Sequence, residues 1–227
     1  MKITNAREEI LHSIRTNLAA SAVFDVNYTT GHAAQNEQPV PALKPNPESL
    51  VELFAESLEA VDGHCVVVEG HAETVEAIKK IIAGLRSTKL NPRRVAVSDS
   101  LEIKDLIESI SSAVEEVEMT PIAADLFSFD VGISSVQAGI AETGTLVLEA
   151  DRERNRLVSL VPPVHIAILD ASKIFNTLGE TLAALYRDGK VSQAITFISG
   201  PSRTADIELT LAIGVHGPQE LFVIIRR

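Results

Sequence analysis

Apolar residues along this chain switch between helical spacing and short unbroken runs. NAREEILHSIRTNLAA has the helical rhythm, with Ile10, Leu11, Ile14 and Leu18 on one face. Asn5 is placed to cap that helix and Glu8 to reciprocate three positions on. YTTGHAAQNEQPVPALKPNP then breaks all periodicity with four prolines and a glycine, which predicts a long linker. From Pro47 the pattern becomes regular: PESLVELFAESLEAV reads as a helix, HCVVVEG as a buried strand, AETVEAIKKIIAGL as a helix and RRVAVSD as a strand. LEIKDLIESI is again helical, AVEEVEM alternates like an edge strand, and PIAADLFSF suits a short helix. Beyond Val131 the apolar pieces shorten and Gly132, Gly139 and Gly144 punctuate them, predicting a turn at Gly144 and a strand over 145–148. RERNRLVSLVPP is too polar and proline-rich for a central strand. VHIAILD and QAITFISG read as central strands and ELFVIIRR as the last strand. Ser172 is expected to cap a helix over KIFNTLGETLAALYRDG, ending near Gly189.

This rhythm predicts an α/β fold with a mostly parallel central sheet covered on both faces. Residues 1–46 form an N-terminal helix and flexible linker, and 47–227 form the folded domain. A helix on so long a tether suits docking on a partner chain or on another copy of this one, a homo-oligomer.

Charge and composition narrow the function. The formal charge of −11 opposes general attraction to nucleic acid. Residues 99–130 hold nine acidic residues against one lysine, a solvated helix face or a docking surface for a basic partner. Cys65 is the single cysteine, so this chain alone cannot hold a cysteine-ligated iron–sulfur cluster, and its place in HCVVVEG suits a buried thiol. No run approaches the roughly 20 apolar residues of a membrane span, and a signal-peptide pattern is lacking at the start, so a cytoplasmic setting is expected. The histidines lack zinc-ligand spacing, and no metal is expected.

Two glycine-rich motifs carry candidate chemistry. SGPSRTADIELTLAIGVHGP follows the apolar run AITFI, which predicts a polar turn at the carboxyl end of a sheet, where ligands favour α/β folds. Gly200 permits close backbone approach, Ser202 and Thr204 supply hydroxyls, and either is placed to cap a short helix from Ala205. Arg203 suits a bidentate clamp on a carboxylate or phosphate; its alternative is an internal pair with Asp206 or Glu208. In AGIAETGT, Glu142 is a base, a nucleophile or a structural acceptor. Arg156 is the member of DRERNR best placed to reach an acidic ligand. His165 lies inside a strand, as a packing residue or a catalyst, and His216 lies in the turn GVHGP.

GISSVQAGIAETGTLVL, VPPVHIAI, SGPSRTADIE and GVHGP, in that order, resemble the lactate-utilisation protein C family, whose members carry the LUD domain. The resemblance runs from about Leu50 onward and is sharpest over 131–218. It implies a three-layer α/β/α architecture related to ribose-5-phosphate isomerases, glucosamine-phosphate deaminases and coenzyme A-transferases. It implies a part in oxidising L-lactate to pyruvate with companion proteins, one an iron–sulfur electron carrier. This chain, without the cysteine patterns, is then the component that holds no cofactor of its own. The matching motifs mark Glu142, Thr143, Gly144, His165, Ser202, Arg203, Thr204, Asp206, Glu208 and His216 as the site. On this reading Arg203 holds a small carboxylate and Glu142 or His165 takes the hydroxyl proton. A nonenzymatic scaffold or regulator is the alternative, followed by a sugar-phosphate isomerase or acyl-transfer enzyme of the same fold group.

Overall fold

The structure is a computed structural model and describes residues 11–13, 15–16, 46–119, 125–153, 156–187, 189, 192–205, 211–213 and 217–227. At 101, 102, 104, 105, 204, 205 and 211–213 it describes the backbone alone. The chain divides into Met1–Leu43 and Lys44–Arg227. In the first unit, residues 11–13 and 15–16 are helical, and Thr16 Oγ1 donates to the His12 carbonyl at 2.9 Å. The Asn5–Glu8 cap and nearly all of the proline-rich linker lie outside the described residues.

The second unit is built on short strand segments, the central ones largely buried on both faces and the two edge ones partly exposed. These segments form six parallel strands: β1 (His64–Val68), β2 (Arg94–Val97), β3 (Glu116–Met119), β4 (Val131–Val136), β7 (Val164–Asp170) and β12 (Glu220–Arg226). Their spatial order is β1-β12-β7-β4-β2-β3. Helices α2 (Gly70–Leu85) and α3 (Leu101–Ile110) cover one face. Ile78, Ile82, Ile103, Leu106 and Ile110, at helical spacing, pack there on Val95, Ile133, Ile166 and Ile224. The other face receives α1 (Pro47–Glu59), whose Val51, Phe54 and Leu58 meet Ala167, Leu169, Val223 and Ile225. Asn46 caps α1 by accepting from the Glu48 amide, with Pro47 at the first helical position. The result is a three-layer α/β/α fold.

A second sheet of four strands shares the α1 layer, in the order β8-β5-β6-β9. These are β5 (Ala138–Ile140), β6 (Thr145–Glu149), β8 (Ile174–Phe175) and β9 (Ile195–Ile198). β10 (Arg203–Ala205) and β11 (Leu211–Ile213) form a separate antiparallel hairpin. Among the described residues no helix is long and apolar enough to cross a membrane.

Several local expectations need correction. AITFI becomes β9, an edge strand of the small sheet rather than a strand of the large one, because it pairs antiparallel with β6. Helix α4 (Leu178–Leu185) does not begin after Ser172: Ile174–Phe175 is drawn into pairing with β5, and Thr177 caps the helix by accepting from the Glu180 amide. No helix starts at Ala205; the backbone of 203–205 is extended in β10. Leu126–Ser128 is a single 3₁₀ turn, and residues 121–124 of that expected helix lie outside the described residues.

Candidate functional site

Sheet topology marks one place before any side chain is considered. β2 continues through α3 outward to β3, whereas β4 leads in the opposite direction to β7. Adjacent parallel strands whose connections diverge leave a crevice at their carboxyl ends, the usual ligand position in open α/β sheets. Val97 pairs with Ile133, and the Ser98 amide donates to the Ile133 carbonyl at 2.9 Å. Ser98, Asp99 and Ser100 therefore leave β2 beside Ser134 and Ser135 of β4, and Ser100 is the N-cap position of α3.

Ser134 and Ser135 are successive on a strand and face opposite sides of the sheet. Ser135 faces Glu153, whose Oε1 accepts from both the Ser135 amide, at 3.1 Å, and the Ser135 hydroxyl. Gln137 Nε2 donates to Ser135 Oγ at 3.2 Å, and its Oε1 accepts from the Glu149 amide at 2.8 Å. Glu153 is 1% exposed. Burial raises its carboxyl above the ordinary glutamate value, against the opposing effect of hydrogen bonds from Ser135, Ser98 and Gln137. The Ser98 hydroxyl acts on that carboxylate but falls short of full hydrogen-bond geometry, so Ser98 Oγ and Glu153 Oε2 both lack a partner. Asp99 Oδ1 and Ser100 Oγ are likewise buried without one. Ser100 does not cap α3 with its side chain.

On the other face, Ser134 Oγ lies 2.8 Å from His165 Nε2. His165 is fully buried, and burial pushes its imidazole down to about 3, so the ring is neutral at ordinary pH. The strand register sets Gly132 opposite His165. A Cβ on Gly132 would overlap the Val158 carbonyl, so glycine there lets the 3₁₀ turn Arg156–Ser159 lie directly on β4.

Apart from His165, the described residues singled out by sequence fall elsewhere. The turn after β9 sits over the amino ends of β1 and β12, not over a carboxyl edge, because β9 belongs to the small sheet. Arg203 is ion-paired with Asp62 and its Nη2 donates to the Val61 carbonyl at 3.4 Å. Beside it lies a recess of about 640 Å³ whose walls include Glu59, Asp62, His64, Cys65, Gln219 and Glu220. Three carboxylates share those walls with Arg203 and His64. Ser202 meets the other motif: its amide donates to the Pro218 carbonyl at 2.7 Å, and its side chain lies against Gly217.

Gly200 and Gly144 both have positive φ, 103° and 60°, and both pack against the carboxyl-terminal end of α1 and the residues just after it. Thr143, Thr145 and Ser199 form a hydroxyl chain with 2.7 Å steps, which joins the two glycine turns. Glu142 is exposed, and its Oε1 accepts from the Leu178 amide at 3.3 Å at the start of α4. Arg156 is exposed at the head of its 3₁₀ turn. His165 does not line the Arg203 recess. The Thr204 side chain, Asp206, Glu208 and His216 lie outside the described residues.

The sequence reading passed over Ser98, Asp99, Ser100 and Glu153. A signal for the first three was present: SDS stands between the apolar run VAV and a helix, where a strand ends at a helix N-terminus. Glu153 was hidden among the arginines of DRERNR, and no local pattern announces its burial.

Cofactor capacity follows from the side chains. Burial, with a smaller contribution from Glu59, pushes the Cys65 thiol up to about 12, which opposes the thiolate form that ligates metal. One such cysteine does not fit an iron–sulfur cluster. Among the described residues no group of three or more His, Cys, Asp or Glu side chains is arranged to hold a metal ion.

Architecture and crevice together define an open parallel-sheet α/β protein with a polar switch point. The chain belongs to the LUD domain family, whose pattern matches residues 51–225. It is 32% identical to an uncharacterized protein of Neisseria meningitidis serogroup B, over 97% of this chain and 93% of that protein. It is 29% identical to lactate utilization protein C of Deinococcus radiodurans, over 91% of this chain and 96% of that protein. A stronger local match, 46% identity, is to lactate utilization protein C of Exiguobacterium sp., but it spans only 39% of this chain and 40% of that protein. Among solved structures, a DUF162 family protein from Deinococcus radiodurans superimposes with a TM-score of 0.61 at 25% identity, covering 81% of this chain and 99% of that one.

Proposed function

We propose that this chain serves in lactate utilization as a component that binds a small carboxylate and carries no redox group itself. The observation that carries the reading is the likeness to lactate utilization protein C of Deinococcus radiodurans along nearly the whole length of both proteins. Oxidising a 2-hydroxy acid to a 2-oxo acid releases two electrons and two protons, and ordinary side chains accept no hydride. The single, poorly ionising Cys65 supports locating the electron acceptor, an iron–sulfur protein, in a separate chain of a cytoplasmic complex.

The test is reconstitution. The chain, an iron–sulfur companion, and the two together are each supplied with L-lactate and an artificial electron-accepting dye. Dye reduction that requires both proteins supports the proposal. The same rate from the companion alone overturns it. A rate that needs this chain, combined with no binding of L-lactate by it, replaces carboxylate binding with a scaffold role.

A further inference from the structure

Five buried side-chain polar atoms among the described residues have no protein partner, and four of them gather at the switch point: Ser98 Oγ, Asp99 Oδ1, Ser100 Oγ and Glu153 Oε2. Native interiors rarely leave such atoms unmatched, and each one calls for a water, an ion or a ligand. Ser98 is fully buried, Ser100 is 6% exposed and Glu153 is 1% exposed, so bulk water does not satisfy them. They lie where the sheet reverses direction and where α3, a helix of ten residues, begins. The first-turn amides of such a helix and the positive end of its dipole favour a negative group.

The donors and acceptors divide in a way that selects the ligand. Two serine hydroxyls and the helix start are donors for a carboxylate. Burial raises the Glu153 carboxyl above its ordinary value, which lessens its opposition to an anion nearby. Asp99 is an acceptor and suits a hydroxyl on the same small molecule. An anion without a hydroxyl leaves Asp99 unmatched, and a hydroxyl compound without a negative group leaves the helix start unmatched.

We infer that the crevice between the carboxyl ends of β2 and β4 binds a small 2-hydroxy acid. Its carboxylate lies at the start of α3, on Ser98 and Ser100, and its hydroxyl faces Asp99 and Glu153. Naming the guest a 2-hydroxy acid rests on the lactate reading above; the crevice as an anion site does not.

The test titrates the purified full chain with L-lactate, with propionate, which lacks the hydroxyl, and with inorganic phosphate, while amide resonances are followed by NMR. Saturable shifts at Ser98–Ile103 with L-lactate, and affinity for propionate lower by about tenfold or more, are expected; that loss corresponds to one buried hydrogen bond. Ser98→Ala combined with Ser100→Ala weakens lactate binding by at least about tenfold, while Arg203→Ala leaves it unchanged. Removing two unpaired buried hydroxyls should not unfold the protein, and a thermal melt checks this. The lactate–propionate comparison on unaltered protein stands independently of any variant.

Lactate binding that ignores the serine substitutions and is lost with Arg203→Ala overturns the crevice assignment but leaves the proposed function intact. Saturation at Ser98–Ile103 by phosphate and not by lactate keeps an anion site and overturns the hydroxy-acid assignment. No shift there with any of the three probes leaves ordered water as the partner and overturns the inference.

Discussion

Ser134 Oγ sits 2.8 Å from Nε2 of His165, and the other ring nitrogen, Nδ1, is buried with no partner among the described residues. The ring must stay neutral in the folded protein, whereas an unfolded chain lets it charge near its ordinary value of 6.5. A base whose folded value is depressed contributes stability above the unfolded value and loses it as pH falls toward the folded one. Unfolding free energy should thus fall between pH 6.5 and about 3, at up to about 1.4 kcal/mol per pH unit from this group. Urea melts across that window should show a shallower slope for His165→Gln than for the unaltered protein. Equal slopes would assign the pH dependence to other groups.

Glu153 has the opposite sign. Its folded value is raised above 4.5, so its stabilising contribution is complete below the unfolded value and is lost as pH rises through the folded one. Glu153→Gln keeps the side-chain shape and removes the charge. Its stability relative to the unaltered protein should improve as pH rises from 4 to 8, as read by thermal melting. A relative stability that falls over that range would show that the carboxylate is welcome where it sits.

Gly132→Ala should be costly. The added methyl overlaps the Val158 carbonyl, a backbone atom that cannot rotate away. A loss of about 3 kcal/mol or more, or failure to fold, is expected. Gly84→Ala is the contrasting case: it lies in α2 with nothing near the new methyl, and should gain about 0.5–1 kcal/mol. Chemical denaturation of both variants distinguishes crowding at β4 from a general effect of removing glycine.

Arg203→Ala should change stability by less than about 1 kcal/mol, because its pair with Asp62 is largely solvent-exposed. The recess beside it holds three carboxylates, so the same variant should leave the lactate-dependent dye reduction described above within about twofold of the unaltered rate. A loss of tenfold or more would return Arg203 to the role of carboxylate clamp.

Cys65 should resist thiol reagents. With its thiol pushed up to about 12, almost no thiolate exists at pH 8. A disulfide-exchange dye should react slowly with the folded protein and rapidly after denaturation. Fast reaction in the fold would mean that the surroundings of Cys65 open readily.

Most of the large sheet was legible because β2, β7 and β12 are apolar runs with no competing pattern, and because helices α1 to α3 keep strict spacing; β4 was not, because Gly132, Ser134 and Ser135 interrupt its apolar residues. The small sheet was not. Ile174–Phe175 and Ile195–Ile198 are short, and whether such segments join one sheet or another depends on partners distant in sequence. That single ambiguity carried the SGPSR turn from an expected carboxyl edge to the amino ends of β1 and β12. The buried crevice was equally hard to see, because Ser98, Asp99 and Ser100 are ordinary helix-start residues. Only the distant arrival of Glu153, bonded to Ser135 of β4, makes them unusual.

β12 lies between β1 and β7, although β1 is the first strand of the large sheet in chain order and β12 the last. During synthesis β1 leaves the ribosome long before the strand it pairs with exists. Its half-open valines must wait through the translation of every other strand, so completion of the sheet is a late, long-range event rather than progressive zipping. That strand order makes closure of the β1 edge the slow step expected of refolding.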